Sequence, residues 1–242
     1  MTLYLIGIGL FDEKDITLRG LGIIKKCKSV YLETYTSRLN CSIEDLERVY
    51  GKEIIPVGRE FVEHHAGELL DPAKKSDIAL LIVGSPTSAT THMELFLEAK
   101  KKKVNVRFVE NASVITAVGI TGLSLYKFGR ITTIPFNNKN ITSPLEIIKL
   151  NQKHNLHTLV LLDIEGDRLM TINEGIKYLI GNGLPMGQLC IGCAALGSPE
   201  PQIKVGKANE LLAYSFTKFP QCLIIPAKRH FKEEETLQQY QY

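Results

Sequence analysis

The chain has 242 residues, 44% of them hydrophobic and 23% charged, with a formal net charge of +3. Such a length holds one large domain or two modest ones with ample core, and the composition is that of an ordinary globular protein. The small net charge argues against direct nucleic-acid binding, and no apolar run approaches the roughly 20 residues of a membrane helix. Five scattered cysteines, an odd number, suit a reducing compartment better than a disulfide framework. A soluble, cytoplasmic protein is expected.

Residues 3–8 read as a first strand ending in Gly7-x-Gly9, with no basic leader before it. A dinucleotide fingerprint would need a third glycine where Asp12 stands, so that reading fails. Asp15 or Thr17 can cap a helix reaching about Cys27, and 29–34 is the next strand. Between 35 and 76 two helical patterns flank the short strand EIIPV. His64 and His65 lie there, but adjacent histidines on a helix point apart and are not expected to share a metal.

Residues 78–83, IALLIV, form an unbroken apolar run with the character of a buried parallel strand. It stops at Gly84-Ser85-Pro86, a cluster of hydroxyls follows (Thr87, Ser88, Thr90, Thr91), and a helix begins near His92. Strand, tight turn and helix place a loop at the carboxyl edge of a sheet, where open α/β sheets bind ligands. Lys100 to Lys103 close that helix, where cations suit the dipole and sit in water.

A strand at 104–109 leads to Asn111-Ala112-Ser113-Val114 and then to an expected long helix with small residues at Ala117, Gly119 and Gly122. Ser113 sits where a strand has ended and a helix begins, beside free backbone N–H groups. After a strand at 131–135, the polar NNKNITSP marks the expected boundary, giving domains 1–136 and 137–242. The second half continues with a helix (145–153), the apolar strand HTLVLLDI ending at Leu162-Asp163, and a helix (172–180). Next come the strand QLCIGCAAL, its hairpin partner PQIKVG, a helix (207–214) and a strand (221–225). Cys190 and Cys193 lie three apart on a strand and so on opposite faces, which suits buried thiols rather than a metal site. The polar tail 228–242 is expected to be partly disordered. Two α/β domains with a ligand cleft between them result.

No G-x-S-x-G, H-E-x-x-H, Walker loop or paired cysteine cluster is present. The polar candidates stand at strand ends: Asp12, Glu13, Ser85 to Thr91, Asn111, Ser113 and Asp163. His92 reads either as a helix-start histidine bonded to local backbone or as a residue lining the substrate site. Without metal ligands or a nucleophile–base pair, the site suits a reaction that needs mainly positioning. Methyl transfer from a sulfonium is one, because alignment alone can supply ~7–11 kcal/mol of the barrier.

Several segments carry a resemblance: LYLIGIGLFDEKDIT (3–17), YLETYTS (31–37), LIVGSPTSATTHMEL (81–95), NASVITAVGITGLSLYKFG (111–129), NLHTLVLLDI (155–164) and, more weakly, FPQCLIIPAKRHFKEEETL (219–237). Together they resemble the diphthine synthases among the tetrapyrrole-methylase-like methyltransferases. The resemblance implies an α/β fold of two α/β domains of the tetrapyrrole-methylase-like type, with S-adenosyl-L-methionine in the cleft between them. It implies a homodimer that repeatedly methylates a modified histidine of translation elongation factor 2 in diphthamide biosynthesis. The acceptor is the 3-amino-3-carboxypropyl group, on its amine and, in eukaryotic-type enzymes, on a carboxylate as well. S-adenosyl-L-homocysteine is the product. Lys100 to Lys103 and His64–His65 are candidate contacts for the protein substrate.

Carried over by position, the donor contacts are Leu10, Ser85, Ser88, Ser113, Val114, Leu162, Leu196 and Gln221. No catalytic side chain and no metal are implied. The sequence departs from the pattern at Ser85, where an acidic residue is usual, and at Gln221, where a histidine is frequent. A missing carboxylate near a cationic donor is expected to weaken attraction by ~1–2 kcal/mol. The competing readings are a donor-binding homologue that has lost turnover and a relative acting on a tetrapyrrole.

Overall fold

Apolar residues at every position of a strand need cover on both faces, and the run at 78–82 receives it. Ile78, Leu80 and Ile82 belong to one core cluster, while Ala79 and Leu81 belong to another. In the computed structural model, which describes residues 1–88 and 92–241, the chain divides into two units, 1–115 and 116–242.

The first unit runs β1 (Thr2–Gly7), α1 (Leu18–Ile24), β2 (Ser29–Glu33), α2 (Ile43–Tyr50), β3 (Ile55–Val57), α3 (Arg59–His64), α4 (Gly67–Ala73), β4 (Ile78–Ile82), α5 (Met93–Lys101) and β5 (Asn105–Val109). Its sheet has the order β3-β2-β4-β1-β5 with every pair parallel, so all five carboxyl ends share one edge. Caps fix the helix starts. The Thr17 hydroxyl accepts from the Gly20 N–H at 3.0 Å, and Ser42 and Asp45 form a reciprocal box on α2.

After β5 the expected long helix does not form. The chain makes only α6 (Val114–Ala117), followed by 3-10 turns at Val118–Thr121 and Leu125–Lys127. Gly122 explains the stop: it has φ +82, and a Cβ there would lie 2.3 Å from the Thr236 methyl.

The second unit continues with β6 (Thr132–Ile134), α7 (Ser143–Lys153), β7 (Thr158–Leu162), a small hairpin of β8 (Ile164–Glu165) and β9 (Arg168–Leu169), α8 (Ile172–Gly181), β10 (Leu189–Ala194), β11 (Gln202–Lys207), α9 (Ala208–Ala213), β12 (Gln221–Ile225) and α10 (Phe231–Gln238). Its sheet has the order β11-β10-β12-β7-β6, antiparallel except for β6 with β7. That parallel pair makes β6 a strand of the second sheet, so it lies in the second unit, which begins at 116 rather than at the expected 137. Cys190 and Cys193 are both buried in β10, and burial pushes the Cys190 thiol up to about 12. Among the described residues no helix is long and apolar enough to cross a membrane.

The tail expected to be disordered is instead helical, and one carboxylate anchors it. Glu233 on α10 accepts from the Ser124 N–H (3.0 Å), the His230 N–H (2.8 Å) and Lys127 Nζ (2.8 Å). It also lies 3.3 Å from Nε2 of the fully buried His157. His157 Nδ1 accepts from the Ala227 N–H at 3.0 Å, so the ring is neutral with its proton on Nε2, facing the carboxylate. Burial alone raises the Glu233 pKa, but the bonds from Lys127, His230 and Ser124 outweigh it and hold the carboxyl well below its usual range. Burial lowers the His157 pKa below 6.5, and the attraction of Glu233 offsets only part of that.

The sign for pH follows. An unfolded chain protonates this histidine before the folded one does, so stability falls as pH drops below about 6.5. The Glu233 contribution persists through that window and is lost only at more acidic pH. Thermal melts between pH 7.5 and 5 are expected to show a falling midpoint, with a shallower slope in His157→Gln. Equal slopes in the two chains contradict the assignment.

Candidate functional site

The carboxyl edge of the first sheet is built by backbone bonds before any side chain contributes. The Gly84 N–H donates to the Gly9 carbonyl (2.7 Å) and the Gly9 N–H to the Gly84 carbonyl (3.4 Å), joining the loops after β1 and β4. Both glycines sit in the left-handed region, at φ +84 and +83. Beyond this bridge Asp15 Oδ2 accepts the N–H groups of Leu10 (2.9 Å) and Phe11 (2.7 Å), shaping the turn that presents Leu10. The Asn111 side chain donates to the carbonyls of Gly7 (3.0 Å) and Asp15 (2.9 Å), tying the end of β5 to the same turn.

Ser85 is buried after β4, and its hydroxyl donates to Glu110 Oε2; the Thr87 hydroxyl reaches the same oxygen at 3.1 Å. Ser88 closes the turn through its N–H to the Ser85 carbonyl (3.2 Å). Ser113 is buried, and its Oγ accepts from the Ile115 N–H (3.2 Å) at the start of α6, where Val114 is the first residue. Leu10, Ser85, Ser88, Ser113 and Val114 therefore share the edge where β1, β4 and β5 end side by side. Ala89, Thr90 and Thr91 of the ATTH motif lie outside the described residues.

In the second unit Leu162 ends β7, Gln221 begins the antiparallel β12, and Leu196 follows β10, whose Ala194 pairs with Gln221. These three residues share one end of their sheet. The Gln221 carboxamide is committed locally: Oε1 accepts from the Ile172 N–H (2.8 Å), and Nε2 donates to the carbonyls of Lys218 (2.9 Å) and Phe216 (3.3 Å). Asp163, another strand-end candidate, likewise accepts from the N–H groups of Phe136 and Ile164, both at 2.9 Å.

Residues 2–212 match the family described as Tetrapyrrole (Corrin/Porphyrin) Methylases. The chain belongs to the tetrapyrrole methylase family. It is 42% identical to the diphthine synthase of Methanocaldococcus jannaschii and 41% identical to that of Methanocella arvoryzae, over 97% and 96% of its length and 97% and 95% of theirs. A crystal structure of diphthine synthase superposes with a TM-score of 0.95 at 35% identity, covering 100% of this chain and 96% of the other.

Tetrapyrrole methylases draw their methyl group from S-adenosylmethionine, and the donor set at the first edge fits that molecule. A sulfonium needs no metal-type ligand cluster, and here hydroxyls, fixed backbone and the carboxylates of Asp15 and Glu110 stand around Leu10 and Ser85. Two features of this methylase fold escape a linear reading. Glu110 is 25 residues from Ser85 in sequence, and only the β4–β1–β5 strand order brings them together. His92 is fully buried, its Nε2 3.4 Å from Oε2 of the equally buried Glu33 at the end of β2. The Thr36 hydroxyl donates to the other Glu33 oxygen, and the Tyr35 ring lies 6.5 Å from the imidazole. The YLETYTS segment and the start of α5 thus form one buried cluster that includes His92.

Replacing Asp15 by alanine leaves the Leu10 and Phe11 N–H groups without their acceptor, a loss of about 1–3 kcal/mol. The variant is expected to unfold at lower denaturant and to bind S-adenosylmethionine more weakly by calorimetry. Unchanged values of both discount the turn as a support for Leu10.

Proposed function

We propose that this protein is a diphthamide-pathway methyltransferase that repeatedly methylates the 3-amino-3-carboxypropyl-histidine of translation elongation factor 2. The observation that carries the reading is near-complete coverage, at about 40% identity, by relatives named diphthine synthase. S-adenosylmethionine supplies a methyl group already activated on a sulfonium. The protein's part is to hold donor and acceptor in line.

Leu10, Ser85, Ser88, Ser113 and Val114 hold the donor at the loop edge of the first sheet. Leu162, Leu196 and Gln221 complete the donor contacts. Gln221 acts there through its backbone and through the α8 start that its side chain caps. The acceptor amine attacks with its own lone pair, a C–N bond replaces the C–S bond, and the resulting ammonium releases a proton before the next round. No side chain is essential as the base, because solvent or the substrate's own carboxylate takes that proton. His92 has no exposed surface from which to do so. Homodimeric assembly and a cytoplasmic setting complete the reading.

Incubating elongation factor 2 that carries the unmethylated intermediate with the protein and S-adenosylmethionine is expected to raise its mass in whole methyl increments. An unchanged mass overturns the function. His92→Ala is expected to lose stability and to keep measurable turnover wherever it remains folded. Abolished turnover with intact donor binding overturns the base-free mechanism. Sedimentation is expected to give twice the chain mass.

A further inference from the structure

The loop edge contains one acidic side chain whose position serves no obvious structural need. Glu110 follows the last residue of β5, and its neighbour Asn111 is locked to the Gly7 and Asp15 carbonyls, so the backbone that carries the carboxylate is fixed. The side chain itself is exposed, and its Oε2 takes the hydroxyl hydrogens of both Ser85 and Thr87. An exposed contact of this kind adds little to folding stability. A negative charge held over the loop acts on a charged ligand nearby, within a screening length of about 8–10 Å.

S-adenosylmethionine carries one more positive charge than S-adenosylhomocysteine, because the sulfonium becomes a neutral thioether when the methyl leaves. We propose that Glu110 shifts the donor-to-product affinity ratio of this enzyme toward the cationic donor, its carboxylate held in place by Ser85 and Thr87. The assignment rests on the reading that this edge binds the donor. It also offsets the weakening expected from Ser85: the carboxylate absent from position 85 is supplied from position 110. A second carboxylate introduced at Ser85 alone would face Glu110 and be repelled by it.

The test is calorimetric titration of both compounds into the full chain. Glu110→Gln keeps the side chain's shape and is expected to bind S-adenosylmethionine about three- to tenfold more weakly and S-adenosylhomocysteine less than about twofold more weakly, the gap shrinking as salt is raised. Glu110→Asp keeps the charge and the preference. Transposing the carboxylate, Ser85→Asp with Glu110→Gln, restores the preference.

A donor-to-product affinity ratio unchanged in Glu110→Gln overturns the proposal, whether both affinities persist or both fall together. So does loss of the preference in Glu110→Asp. Wild-type protein that binds neither compound overturns the underlying reading of the site instead, and the two failures are told apart by that control.

Discussion

The two backbone hydrogen bonds exchanged by Gly9 and Gly84 are the constraint on which the loop edge depends. Parallel strands finish together, so the loops leaving β1 and β4 must turn out of the sheet within a residue or two. Only positive φ permits that turn here, and a Cβ on Gly9 would lie 2.2 Å from the Asp15 Cβ. Asp15 and Asn111 then satisfy the remaining backbone groups from the side. The result is a loop edge whose backbone shape is fixed by the chain's own hydrogen bonds.

The second unit uses the same device at a different place. One carboxylate, Glu233, gathers two backbone N–H groups, a lysine and a histidine around it, and so fastens the last helix to the turns after α6. A polar helix with few apolar residues has little hydrophobic reason to dock. A buried, fully bonded charge supplies one, at the cost of a dependence on protonation.

Elements whose reason for existing is local were legible in the sequence. The apolar run at β4, the HTLVLLDI strand and the capped start of α1 all appear where periodicity and capping residues put them. What escaped depends on contacts far apart in the chain. The turn-rich NNKNITSP looked like a boundary, but the pairing of β6 with β7 reaches across it. Gly119 and Gly122 looked like packing residues of a long helix, yet Gly122 turns the chain out of helix at positive φ, with Thr236 packed where a Cβ would stand. The candidate site was read in the same uneven way. Ser85 and Ser113 stand at strand ends where glycine and hydroxyl patterns placed them, whereas Glu110 and the Glu33–His92 pair emerged only from strand order.

Fixing a backbone and placing a charge are separate tasks at the end of β5, performed by neighbouring residues. Asn111 holds the chain, and Glu110 carries the charge from a pivot that does not move when the side chain is exchanged. A substitution at 110 therefore changes the charge at the strand end without removing either hydrogen bond that anchors Asn111.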